Sequence, residues 1–212
     1  MTPLIRSVQV GRVQTFTAAD GTVWTSAYRK MPVDQPVWLS ALGLEGDEQQ
    51  HKKVHGGPFR AVLSYSAEHY LRWQQELGLS LPYGAFGENF TISGLDEDSV
   101  CLGDVYQVGD EVCLEVAQPR RPCNQINLYW GRDDLQALVS KTLRTGWYAR
   151  VLQEGRVCAD MSVRLLSRPY PEWTIRAAHE TYDERKHKPK RAHALAQCEA
   201  LETSWRERLA QA

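Results

Sequence analysis

Cys123 lies in Gln118-Pro119-Arg120-Arg121-Pro122-Cys123-Asn124-Gln125-Ile126-Asn127, where two prolines stiffen the backbone and two arginines precede a single cysteine. Neighbouring guanidinium groups favour thiolate over thiol, and the thiolate is the form that attacks electrophiles or ligates a soft metal. A cysteine buried as a small hydrophobe has no need of such neighbours. On residue chemistry alone, nucleophile and ligand both stay open.

Two further loops carry residue types that a stable core does not require. Gly43-Leu44-Glu45-Gly46-Asp47 leads into His51-Lys52-Lys53-Val54-His55-Gly56-Gly57-Pro58-Phe59-Arg60, which combines a glycine pair with histidines, lysines and an arginine. Glycine lets backbone amides approach an oxyanion closely and the cations supply opposing charge, so the loop reads as an anion cradle. The plainer reading is a solvated turn. His51 and His55 are four apart, but Gly56-Gly57-Pro58 stops a helix there, which argues against a zinc pair. The second loop, Gly84-Ala85-Phe86-Gly87-Glu88-Asn89-Phe90, offers a carboxylate and an amide. Asp47, Glu88 and His55 are the candidates for moving a proton.

The elements that must position these loops are mostly strands. Short β-like runs are expected over Ile5–Val10, Val37–Leu42, Ala61–Tyr65, Asn89–Ile92, Val105–Val108, Val112–Val116, Trp147–Val151 and Ser162–Leu166, with a tight hairpin at Gly109-Asp110. Ser66 can cap a helix over Ala67–Leu77 that Gly78 stops, with Tyr70, Trp73 and Leu77 on one face. Asp133 or Asp134 can start another, ending near Gly146, with Leu135, Leu138, Val139 and Thr142 inward. Arg168-Pro169-Tyr170-Pro171 then marks a linker. Beyond it, helices are expected over Ile175–Tyr182 capped by Thr174, over Ala192–Ala200, and over Trp205–Ala210 capped by Thr203 or Ser204. The chain thus divides at 168/169 into a mainly β domain (1–168) and a small three-helix domain (169–212).

Composition narrows the function. A formal net charge of -1 does not suggest a nucleic-acid binder, and 42% hydrophobic residues with seven tryptophans can build a core. The five cysteines are odd in number and contain no Cys-x-x-Cys pair, so they read as reduced thiols. Cys113 and Cys158 read as packing residues. No basic stretch with an apolar run opens the chain and no stretch of 18 apolar residues occurs, so a cytoplasmic protein without a membrane segment is expected. The basic stretch Arg185–Arg191 could face an acidic partner or simply be solvated.

Taken together, Gly43-Leu-Glu-Gly-Asp-Glu-Gln49, Lys52-Lys-Val-His-Gly-Gly-Pro58, Gly84-Ala-Phe-Gly-Glu-Asn89, Gly103-Asp104 and Gln118-Pro-Arg-Arg-Pro-Cys123 closely resemble the YiiM-type branch of the MOSC family, named for the carboxy-terminal domain of molybdenum cofactor sulfurase. The resemblance covers nearly the whole chain, the final helices included. It implies a mainly β fold, a MOSC-type twisted β-barrel with inserted helices, followed by a small three-helix domain. It also implies a molybdenum-pterin cofactor with Cys123 as the protein ligand to the metal. A thiolate is a soft ligand suited to molybdenum, and Arg120 or Arg121 can neutralise a cofactor phosphate. The cofactor role carries over to Lys53, His55, Gly56, Gly57, Arg60, Asn89 and Asn127 as well. Arg121 stands at a variable place in the family pattern.

Relatives of this type reduce N-hydroxylated compounds such as 6-N-hydroxylaminopurine to the amine. The expected activity is therefore that of an oxidoreductase in which Cys123, Asp47 and Glu88 serve the chemistry. The chain holds neither a dinucleotide fingerprint nor an iron–sulfur cysteine cluster, so a separate reductase is expected to deliver the electrons. An oligomer is compatible with the sequence; specific nucleic-acid or membrane partners are not expected. The rival reading keeps the fold and makes Cys123 a persulfide or cofactor carrier without turnover.

Overall fold

The computed structural model describes residues 2–17, 21–50 and 56–212. The fold is mainly β. In chain order the strands are β1 (Leu4–Val10), β2 (Gln14–Thr17), β3 (Val23–Ser26), β4 (Met31–Pro32), β5 (Val37–Ser40), β6 (Gly43–Leu44), β7 (Val62–Ser66), β8 (Phe90–Ser93), β9 (Val105–Val108), β10 (Val112–Pro119), β11 (Trp147–Gln153), β12 (Gly155–Val157) and β13 (Val163–Ser167). Helices α1 (Ala67–Leu77), α2 (Gln125–Trp130) and α3 (Leu135–Thr142) are inserted between strands, and α4 (Ile175–Asp183), α5 (Pro189–Ala196) and α6 (Thr203–Ala210) close the chain.

The main sheet has eight strands in the order β13-β9-β10-β11-β7-β8-β1-β4, antiparallel except between β7 and β8. It curls enough for its first strand to meet β1: an isolated bridge joins Leu4 to Ser162, with Ile5 N–H donating to Met161 O at 2.9 Å and Val163 N–H to Pro3 O at 2.9 Å. The sheet is thus ring-like, linked at that point by a bridge rather than a continuous ladder. β12-β5-β6 and β2-β3 form two small sheets at its flank. Central β7 is buried along its whole length, as expected of a strand covered on both faces.

Two clusters fill the interior. The larger runs from Ile5, Val8 and Phe90 through Val112, Leu114 and Val116 to Ile175, Leu195 and Leu209, so sheet and C-terminal helices share one apolar cluster. The smaller lies under α1 and is mainly aromatic: Tyr65 stacks on Phe86 at 4.4 Å, and Trp73 Nε1–H donates to the Tyr65 hydroxyl at 2.8 Å. Full burial of a side chain such as Phe86 contributes about 1.5–3 kcal/mol. Gly146 couples this region to the cysteine loop. Its N–H donates to Glu97 Oε1 at 2.7 Å and its carbonyl accepts from Arg120 N–H at 3.0 Å. With φ at +77° and a Cβ position only 2.3 Å from Ser64 O, no other residue fits there without moving backbone.

Most expected elements are present with ends shifted by at most four residues: β10 runs on to Pro119, and the helix expected over Ala192–Ala200 starts at Pro189 and stops at Ala196. The helix expected from Asp133 or Asp134 to Gly146 is shorter, because Leu143 turns left-handed at φ 57°. Capping differs as well. Ser66 holds the N-cap position of α1 without accepting from a helix N–H, its hydroxyl donating to Glu68 Oε2 at 2.7 Å instead. Thr174 caps α4 as expected, accepting from Ala177 N–H at 3.1 Å, whereas α6 is capped by Glu202 instead of Thr203 or Ser204. α2 and the short strands β2, β3, β4, β6 and β12 are additional. Among the described residues no helix is long and apolar enough to cross a membrane.

Candidate functional site

β10 delivers Arg120 to the interior, and the chain then passes through Pro122 and Cys123 into α2. Gln136 of α3 braces this loop, its Nε2–H donating to Pro122 O at 3.1 Å. Asn127 does comparable work between the helices: its Oδ1 accepts from Gln136 N–H at 2.7 Å and its Nδ2–H donates to Asp133 O at 2.8 Å. Asn127 therefore caps α3 and stays outside the cavity lining.

A cavity of about 290 Å³ opens beside Cys123. This is near the lower end of small-molecule pockets, about 300–1,000 Å³. Asp47, Arg60, Asn89, Arg120, Arg121 and Cys123, all expected at a site, meet on its wall although they come from four separate stretches of chain. Gly56 and Gly57 line a neighbouring hollow that shares Asp47, Glu48 and Gln49 with the first. Lys53, His51 and His55 lie outside the described residues. Tyr28, Lys30, Gln125 and Tyr148 also line the cavity and were not singled out by residue chemistry. Gln125 and Tyr148 had a signal: one follows Cys123 closely, the other alternates with inward Trp147 on β11. Lys30 had none beyond being a basic residue before Met31-Pro32.

Glu88 is placed differently from Asp47. Its carboxylate is fully buried beneath the wall, accepting from Gly84 N–H at 2.8 Å, Phe86 N–H at 3.1 Å, Thr91 Oγ1–H at 2.7 Å and the Tyr70 hydroxyl. It ties the Gly84–Phe90 loop together and does not line the cavity, so the geometry gives it a structural task in place of the expected proton-transfer one. Asn89 then links loop to cavity: its Oδ1 accepts from Leu63 N–H at 3.1 Å and its Nδ2–H donates to Asp47 Oδ2 at 2.9 Å.

The electrostatics centre on Arg120, whose side chain is buried and whose Nη1 has no hydrogen-bond partner among the described residues. Burial opposes its charge, and the Tyr28 and Tyr148 phenols with the Cys123 thiol offset this so that its pKa stands above the ordinary value. Burial in turn pushes both phenols up, with Arg120 pulling them back, so both stay O–H donors. Gln125 Oε1, also on this wall, is buried without a partner among the described residues. A buried guanidinium left with one unpartnered donor favours an anion or acceptor beside it. The wall therefore offers an anion site, an acceptor for an N–H or O–H group, and one thiol. That donor set fits a phosphate-bearing, amide-rich organic cofactor that brings its own chelated soft metal, because a single thiolate cannot hold a metal alone.

A curved mixed sheet whose cavity wall carries arginines and one thiol defines the class: a β-rich protein with a pocket lined for a small anionic group. The description of the MOSC domain matches residues 51–164, and the chain belongs to the MOSC family, which is associated with the molybdenum cofactor. It is 37% identical over 205 residues to Protein YiiM of Escherichia coli, covering 93% of this chain and 87% of that one. It is 38% identical over 177 residues to a protein named Reductase from Gibberella moniliformis, covering 81% of this chain and 31% of that longer protein. Among solved structures, YiiM from Geobacillus stearothermophilus superposes with a TM-score of 0.83 at 31% identity, covering 99% of this chain and 98% of the other.

Proposed function

We propose that the protein holds a molybdenum-pterin cofactor in this cavity, with Cys123 as the thiolate ligand, and reduces N-hydroxylated small molecules such as N-hydroxylated purines with electrons from a separate cytoplasmic reductase. The observation that carries this reading is buried Arg120, unpartnered at Nη1 among the described residues, on the same wall as Cys123. Family membership and the reductase-named relative support it further. When bound, the cofactor supplies two-electron redox chemistry at molybdenum. The chain's own contribution is positioning. Cys123 would offer the metal a soft ligand, Arg120 and Arg121 would neutralise phosphate, Gln125 Oε1 would accept from an N–H or O–H group, and Tyr28 and Tyr148 would line the wall.

The test measures molybdenum and pterin in protein from a cofactor-replete host, together with reduction of an N-hydroxylated purine by reduced methyl viologen. Near-stoichiometric metal in wild type and its loss in a folded Cys123→Ser variant are expected, since a hydroxyl is a hard, weak donor. Metal and rate both retained by Cys123→Ser would remove the ligand assignment. Persulfide on Cys123 in protein without molybdenum would favour a sulfur carrier.

A further inference from the structure

Lys30 and Asp47 form an ion pair in the cavity wall with side chains only 7% and 2% exposed. Both oxygens of Asp47 are engaged: Oδ1 accepts from Gly11 N–H at 2.7 Å and from the Lys30 ammonium, and Oδ2 accepts from Asn89 Nδ2–H at 2.9 Å. Lys30 is the opposite case. An ammonium carries three N–H donors, and among the described residues Asp47 is its one hydrogen-bond partner, so donors remain for whatever enters the cavity. Gly84 makes room for this strand end, because a Cβ there would lie 3.0 Å from Lys30 O.

A buried pair of this kind stabilises a fold no better than apolar residues of the same size, so stability alone does not explain its place in a cavity wall. The alternatives for proton transfer are weaker on geometry. Asp47 has both oxygens engaged, and Glu88 lies beneath the wall with its four donors.

Resting on the reading of the preceding section, we propose that Lys30 is the proton donor of the reductive step, with Asp47 as its positioning residue. The step converts R–NHOH, two electrons and two protons to R–NH2 and water. The N–O bond breaks, nitrogen gains an N–H bond, oxygen leaves as water, and the electrons come from the reductase protein or, in the assay, from reduced viologen. Lys30 gives one of the two protons and regains it from solvent. The charged and titratable groups about it are Asp47, Glu48, Glu88, Arg60, Arg120, Arg121 and Cys123, with the Tyr28 and Tyr148 phenols. Burial lowers the Lys30 pKa from its ordinary 10.5, with Asp47 pulling it back up, which suits a donor that must release its proton.

The experiment compares wild type, Lys30→Met and Lys30→Arg for molybdenum and pterin content, kcat and KM with reduced viologen, and follows lysine Cε resonances against pH in the cofactor-free chain. Both variants are expected to load normally, to lose about 100-fold or more in kcat, and to keep KM within a few-fold; Lys30→Arg retains the charge but cannot release a proton. Lys30 is expected to titrate below the other lysines. A loaded variant with kcat within threefold of wild type overturns the proposal. If Lys30→Met does not fold or load, Lys30→Arg at full rate, or Lys30 titrating with the other lysines, overturns it. Wild type lacking molybdenum or turnover overturns the preceding reading and this one together, and shows before any variant is made.

Discussion

Arg121 Nη1 donates to Asp183 Oδ1 at 2.9 Å, and its guanidinium lies 4.9 Å over the ring of Tyr182. The arginine that lines the cavity two positions before Cys123 is thus held by the end of α4. Arg60, on the same wall, has its Nη2 3.8 Å from Glu202 at the start of α6. Two cavity cations therefore lean on the C-terminal helices, which gives these helices a part in shaping the site.

Asp183→Asn tests that coupling. Both partners are about half exposed, so the fold is expected to lose less than about 1 kcal/mol, seen as a small change in thermal midpoint. Pterin loss during gel filtration is expected to quicken severalfold, because Arg121 then leaves the wall. Unchanged retention would show that Arg121 does not contribute there.

Arg120→Met should separate stability from binding. Removing a cation that burial opposes and its surroundings favour, with Nη1 unpartnered among the described residues, is expected to leave the cofactor-free protein within about 1–2 kcal/mol of wild type in urea unfolding. The same variant is expected to lose pterin. Greater destabilisation would mean that the phenols around Arg120 already satisfy it.

Glu88→Gln addresses the carboxylate beneath the wall. Four donors converge on it, and an amide nitrogen would face at least one of them. A loss of about 2–4 kcal/mol in unfolding free energy is expected. The folded fraction of the variant should keep its turnover, since Glu88 does not reach the cavity; a folded, loaded but inactive variant would return it to the chemistry.

His179 should make stability fall in mild acid. Burial lowers its pKa from the ordinary 6.5, with Asp183 opposing, and its Nδ1 has no partner among the described residues. The unfolded chain thus binds the proton more readily, so stability is lost as pH drops below about 6.5 and levels off below the folded pKa. His179→Phe is expected to flatten that slope in pH-dependent thermal unfolding. An unchanged slope would assign it to another group.

Local pattern made much of the fold legible. β9 and β10 with their Gly109-Asp110 turn, α1 between Ser66 and Gly78, and α4 after Thr174 each announce themselves through alternation, caps and stops that depend only on neighbouring residues. β2, β3, β4, β6 and β12 did not, because two to four residues carry little periodicity and their strand character comes from partners far along the chain. α2 has six residues and packs through Ile126, too short a run for a helical period.

At the site, the sequence by itself determined the chemistry available: a cysteine among arginines, glycine loops, and membership of a family associated with the molybdenum cofactor. Which residues share a wall was decided by the tertiary structure. Glu88 and Asn89 are adjacent in sequence, yet one carboxylate is closed beneath the wall by four donors while the neighbouring amide reaches Asp47. Lys30 enters because the curled sheet brings β4 and the Asp47 loop together, burying an ammonium against a carboxylate that already has other donors. Burial and partner count set whether a charged group can act, and neither is a property of a residue or of its neighbours in the chain.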